Sequence, residues 1–104
     1  MRQVFVVYET DAWHSTNNRD CKGIYTSKRS AINAIVRNFD IDLDELFEPS
    51  YIAKTSERKL RTEAKRVIRG ELEVNFQTQG YSTNYDIEVW NINEWDRRLT
   101  RKSG

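Results

Sequence analysis

Apolar positions open the chain as an unbroken run, Val4-Phe5-Val6-Val7-Tyr8, which gives way to Asp11-Ala12-Trp13-His14-Ser15. Val, Phe and Tyr suit a pleated, mostly buried strand, so a first strand is predicted over 3–13 with a polar, chemistry-bearing end. Thr16 to Asp20 is a turn-forming cluster. Lys22 to Thr26 reads as a second strand over 22–26, paired with the first as a hairpin. Ala31, Ile32, Ile35, Val36 and Phe39 then recur at helical spacing, predicting an amphipathic helix over 28–38 whose stripe lies on the sheet. Thr26 or Ser27 supplies a hydroxyl to cap its first amides.

Asp40 or Asp42 can cap a short helical turn that tucks Leu43, Leu46 and Phe47 inward, with Pro49 ending it. Tyr51-Ile52-Ala53 fits either a short extended piece or a tether. From Ser56 the period is helical again, with Leu60, Ala64, Val67 and Ile68 inward and Arg58, Arg61, Lys65 and Arg69 on the opposite stripe. Gly70 creates a fork. As a C-terminal cap it would end the helix and leave Leu72, Val74 and Phe76 alternating as a strand. Alternatively Leu60, Ala64, Ile68, Leu72 and Phe76, spaced by four, continue the helix. An interior glycine costs only ~1 kcal/mol, so it does not decide between the two. The continued helix, over 56–77, is the reading adopted. Gln79 to Asn84 is a loop, and a last strand is predicted over 84–93. On it Tyr85, Ile87 and Val89 share one face while Trp90 and Ile92 switch, implying a bulge or a strand buried on both sides. Trp95 is expected to fold back on the core edge.

The fold class is therefore α+β: a small antiparallel sheet, strand 1 near its centre, with two main helices on one face. Length agrees with one domain over 1–96, followed by a basic polar tail over 97–104. The single Cys21 forms no intramolecular disulfide, and with Asp20 and Lys22 beside it reads as an ordinary position near a strand start. No apolar run is long enough for a signal-peptide core or a membrane span, so a cytoplasmic protein is expected. With 17 basic against 16 acidic residues, the chain is not a globally basic nucleic-acid binder.

The same inventory restricts the chemistry. Asp40, Asp42 and Asp44 imitate the start of a calcium loop, but Glu45 and Tyr51 stand where the turn glycine and closing glutamate belong. One His and one Cys do not make a zinc site within a monomer. No metal and no cofactor is expected. His14 with Asp11 as its orienting carboxylate would suit acid–base work, but three residues along a strand put them on opposite faces unless a turn intervenes. The stripe Arg58, Arg61, Lys65 and Arg69 could contact phosphates, although Glu57 four residues before Arg61 favours a solvated face. Gln77, Thr78 and Gln79 carry donors and acceptors suited to base edges, and Tyr81 and Trp13 carry flat faces for stacking. The blander reading has the amides capping a helix and bracing a loop, with Trp13 in the core.

Through Val6-Val7-Tyr8, Thr10 to Ser15, the Gly23 to Ser27 helix entry, and Gln77-Thr78-Gln79-Gly80-Tyr81 followed by Tyr85-Asp86-Ile87-Glu88, the chain resembles a group of short proteins from Bacteroides-type bacteria and their phages. The group has no established activity. The resemblance implies that Asp11, Trp13, His14, Ser15 and the Gln77–Tyr81 loop are functional positions, and that a helix precedes that loop. The longer charged helix over 54–70 departs from the group's pattern. The function expected first is a non-enzymatic binding protein. In a phage-like setting it would sequester a small nucleotide-type ligand, such as a host defence messenger, within a homo-oligomer. The alternative is a protein-interaction module that regulates a partner enzyme through Trp90, Trp95 and the acidic 40–48 segment. An enzyme comes third, since no complete catalytic constellation is visible.

Overall fold

A computed structural model describes residues 2–15 and 19–92. It contains strands β1 (Arg2–Asp11), β2 (Asp20–Tyr25) and β3 (Thr83–Ile92), and helices α1 (Lys28–Asn38), α2 (Leu43–Leu46), α3 (Pro49–Lys54) and α4 (Glu57–Asn75). The sheet is antiparallel in the order β2-β1-β3, so the apolar opening strand is central, as its composition predicts.

The core lies on one face of the sheet. Val7 from β1 and Tyr85 and Ile87 from β3 meet Ala31, Ile32, Ile35 and Val36 of α1 and Ala64, Ile68 and Leu72 of α4. Apolar burial of this kind contributes about 25 cal/mol per Å2, which is why the 3.6-residue stripes of both helices turn inward. Helix α1 has the predicted span, and Ser27 caps it by accepting from Ser30 N. Helix α4 runs through Gly70 without interruption and is capped by Ser56 at its start. It ends at Phe76, which takes the left-handed conformation (φ 58°). That unfavourable backbone is held by Ile87 N–H donating to Phe76 O at 2.7 Å, and it turns the chain so that Gln77 bridges Asp86 on the edge of β3.

Three expectations are corrected. Strand 1 stops at Asp11 and not at Trp13, because Ala12 and Trp13 form a turn. Tyr51-Ile52-Ala53 is neither extended nor a tether. Pro49 sits in the first turn of α3, where its missing N–H costs nothing, while α2 has already closed on Phe47. The pairing of β1 with β3 is regular from Arg2↔Ile92 to Asp11↔Thr83, so Trp90 and Ile92 need no bulge. They face away from the helices together with Asp86 and Glu88, as residues at every second position do. The irregularity falls in β2, where Lys22 is extra between Val7↔Gly23 and Tyr8↔Cys21. The expectations for Asn93, Trp95 and the 97–104 tail lie outside the described residues.

Candidate functional site

The outer face of the sheet, opposite the helices, carries the chemistry, and the turn at the end of β1 organises it. Asp11 Oδ1 accepts from Trp13 N at 3.1 Å and Ser15 N at 3.0 Å, and His14 N donates to Asp11 O at 3.2 Å. A short carboxylate that can bond backbone amides two and four residues on is a turn builder. His14 takes a positive φ of 55°, a conformation His tolerates better than most residues. The turn separates its two aromatic rings. Trp13 points into solvent, 84% exposed, and His14 folds against β3.

There His14 Nδ1–H donates to Asp86 Oδ1 at 2.8 Å, with the two side chains only 20% and 17% exposed. A carboxylate accepts only, so the bond places a proton on Nδ1 and leaves Nε2 as the second hydrogen-bonding atom of a fixed ring. Nε2 is buried and has no hydrogen-bond partner among the described residues. The sequence points to Asp11 as the carboxylate that orients His14. The turn that would bring those two together exists, but it uses Asp11 for its own amides, and Asp86 takes the orienting position.

Cross-strand register assembles the rest. Asp86 lies opposite Tyr8 and Glu88 opposite Val6. Arg19 Nη1 donates to Glu88 Oε2 at 2.6 Å, and its guanidinium lies 3.9 Å over the Tyr8 ring. Trp90 Nε1–H donates to the other Glu88 oxygen at 2.9 Å. The bond to Glu88 holds the Arg19 pKa above its ordinary value, against the opposing effect of burial. Gln77 reaches the same region from the opposite edge of β3, since bridged residues share a face with their partners.

The other predicted site residues lie elsewhere. Thr78 is fully buried, donating to Asn84 Oδ1 at 2.9 Å and accepting from Tyr85 N at 3.0 Å. Tyr81 is a core ring set edge-on to Phe39, with its hydroxyl 2.7 Å from Glu71 Oε2. Burial first, then the bond to Glu71, pushes the Tyr81 pKa well above the ordinary phenol value. Gln79 gives its backbone N–H to Glu71 Oε1 at 3.1 Å. Of the three residues at 77–79, Gln77 alone is brought across from Asp86. Ser15 contributes its backbone to the turn, its carbonyl 3.4 Å from Thr10 Oγ1. On α4, Arg61 pairs with Glu57 at 3.4 Å and Arg69 turns to Asn33 at 2.7 Å, while Arg58 and Lys65 stay exposed. Asp42 caps α2 and Glu45 holds Ser82 at 2.9 and 3.0 Å.

Asp86, Glu88, Arg19 and Tyr8 are not among the predicted site residues. For Asp86 and Glu88 a signal lies in their alternation with core residues on the last strand, which marks a polar face. Two clefts lie away from this network, one of about 380 Å3 between the sheet and α1 beside Glu9, Lys22 and Tyr85, the other of about 660 Å3 between α1 and α4. In the first, Tyr85 OH donates to Glu9 Oε2 at 2.7 Å, and burial together with that bond raises the Tyr85 pKa. Among the described residues no helix is long and apolar enough to cross a membrane.

Fold and face together define a small α+β domain with a three-stranded antiparallel sheet, helices on one side and a hydrogen-bonded aromatic and charged network on the other. Comparison with protein-family models, curated proteins and solved structures finds no match.

Proposed function

We propose that the protein is a non-enzymatic, cytoplasmic binding protein that sequesters a small nucleotide-type ligand at the 11–15 turn. The observation that carries this reading is Trp13, 84% exposed on a turn whose hydrogen bonds hold it there. An indole displayed on a braced backbone offers a stacking face, and base–aromatic stacking contributes about 1–3 kcal/mol per base. The Gln77 amide supplies polar contacts for a heterocycle's edge, and His14 Nε2, buried without a partner among the described residues at a cost of about 1–3 kcal/mol, gains one where the ligand displaces its cover. A His–Asp pair also suits proton transfer. The binding reading is preferred because no nucleophile lies in hydrogen-bond reach of Nε2 among the described residues.

The test is thermal shift and calorimetry against a panel of cyclic and linear nucleotides. Binding with quenched tryptophan fluorescence is expected, lost in Trp13→Ala and weakened in His14→Ala. No shift across the panel refutes the ligand. Exposure of Trp13 and Ile24 (65%) also favours a second reading, an anchor for a regulated protein partner. A stoichiometric complex abolished by Trp13→Ala, without nucleotide binding, would establish that alternative.

A further inference from the structure

Among the described residues Arg19 pairs with Glu88 at 2.6 Å, Lys22 with Glu9 at 3.9 Å and Arg61 with Glu57 at 3.4 Å. The groove between α1 and α4 is different. It is lined by Lys28, Arg29, Ile32, Asn33, Arg69 and Glu73, so three cations face one carboxylate. Two of these cations are held by neutral groups. Lys28 Nζ donates to the backbone carbonyl of Glu73 at 2.6 Å and sits 3.9 Å over the Phe76 ring. Arg69 Nη1 donates to Asn33 Oδ1 at 2.7 Å. Both charges are positioned without being neutralised, and a guanidinium anchored through one nitrogen keeps further N–H donors for a second acceptor.

Their placement is also unfavourable for the isolated fold. Lys28 and Arg29 occupy the first turn of α1, which contains no acidic residue. Cations at a helix N-terminus oppose the positive end of the dipole, where anions are stabilised. The Lys28 bond to a last-turn carbonyl of α4 compensates for one of them. Arg29 has no such offset among the described residues.

We propose that this groove binds a small phosphate-bearing molecule, its phosphate set between Lys28, Arg29 and Arg69. A cleft of about 660 Å3 lies within the range that takes up a small organic ligand. The cations cluster around one concavity and do not track along α4, which fits a compact phosphate ester better than a polymer backbone. The site is independent of the ligand at Trp13, because the groove belongs to the helical layer and the turn to the uncovered end of the sheet.

The experiment is a titration of the full chain, 15N-labelled, with inorganic pyrophosphate, ATP and sulfate. Saturable shifts at the amides of Lys28, Arg29, Asn33, Arg69 and Glu73 are expected with pyrophosphate and ATP. Arg29→Gln and Arg69→Gln should each weaken binding about tenfold or more, as loss of a hydrogen bond to a charged group does. Glu73→Gln, which removes the opposing carboxylate and leaves the carbonyl under Lys28, should tighten it. Trp13→Ala should leave it unchanged. Absence of groove shifts in the folded protein overturns the proposal, and so does sulfate binding as tightly as pyrophosphate. Either result leaves the reading at Trp13 standing, and failure at Trp13 leaves the groove standing.

Discussion

Replacing Gly70 by Ala should stabilise the protein, and the sign of the change tests the path of the chain from 70 to 77. Gly70 is exposed in the interior of α4, and a Cβ built on it meets nothing within 4 Å. No steric term therefore offsets the propensity gain, worth about 0.8–1.0 kcal/mol for Gly to Ala inside a helix. For a domain near this size that is a rise in Tm of about 4–8 °C. In urea, the midpoint should rise while the slope stays unchanged. Were Gly70 instead a left-handed cap before a strand, alanine would be strained there and stability would fall. Leu72 and Val74 provide the internal control. Leu72 is 0% exposed and Val74 78%, so Leu72→Ala should cost about 2–5 kcal/mol. Val74→Ala should cost nothing and gain a few tenths of a kcal/mol in helix propensity, within about 0.7 kcal/mol at most. A strand would place both side chains on one face and make both substitutions costly. A fall in stability for Gly70→Ala, or a large loss at Val74, refutes the helix.

Three further outcomes rest on particular contacts. Thr78→Val keeps the volume but leaves Asn84 Oδ1 and Tyr85 N without their partner, so denaturant melts should show a loss of about 1–3 kcal/mol. Tyr81 and Tyr85 both have raised phenol pKa values. Above pH ~10 the unfolded chain ionises first and binds fewer protons than the folded one. Stability should therefore hold below that pH and fall above it, by up to about 1.4 kcal/mol per pH unit for each tyrosine. Tyr85→Phe should flatten the alkaline limb measured by pH-dependent urea titration, and an unchanged limb would contradict the assignment. Asp86→Asn should release the His14 ring from a single tautomer, visible in long-range 1H–15N spectra, because an amide can donate to Nδ1 as well as accept from it. Retention of the wild-type tautomer would show that Asp86 does not set it.

The legible parts of this fold are those where one local rule acts alone. The α1 stripe of Ala31, Ile32, Ile35 and Val36 has one period and one cap, and the helix spans Lys28–Asn38 as predicted. At 70–77 two periods overlap, and the helix is preferred because Leu72 completes a core that Leu60, Ala64 and Ile68 have begun. Strand propensity extends the first strand to Trp13, yet an Asx turn at Asp11 overrides it with three hydrogen bonds. Pro49 closes off the segment before it, but the same residue is also a favourable first position for α3. The site is least legible. His14 meets Asp86 across 72 positions and Arg19 meets Glu88 across 69. Both depend on the register of β1 with β3, which no local period encodes.

That register also decides how much of the conspicuous Asp11-to-Ser15 motif is free to act. β1 is apolar on both sides, with Phe5 and Val7 toward the helices and Val4, Val6 and Tyr8 on the other face. Val6 is nonetheless only 6% exposed, although it faces away from the helices. Its register partner is Glu88, which accepts from both Arg19 and Trp90, while Arg19 lies over Tyr8. Charged side chains that bond one another can lay their aliphatic stems over apolar surface, so the polar network serves as cover for the strand. His14 with Asp86 extends that network to the strand's end, and the turn is closed by the Asp11 carboxylate and the Ser15 backbone. Most of the motif therefore serves the fold. The indole of Trp13 and Nε2 of His14 take no part in those contacts, and of the two only the indole is exposed.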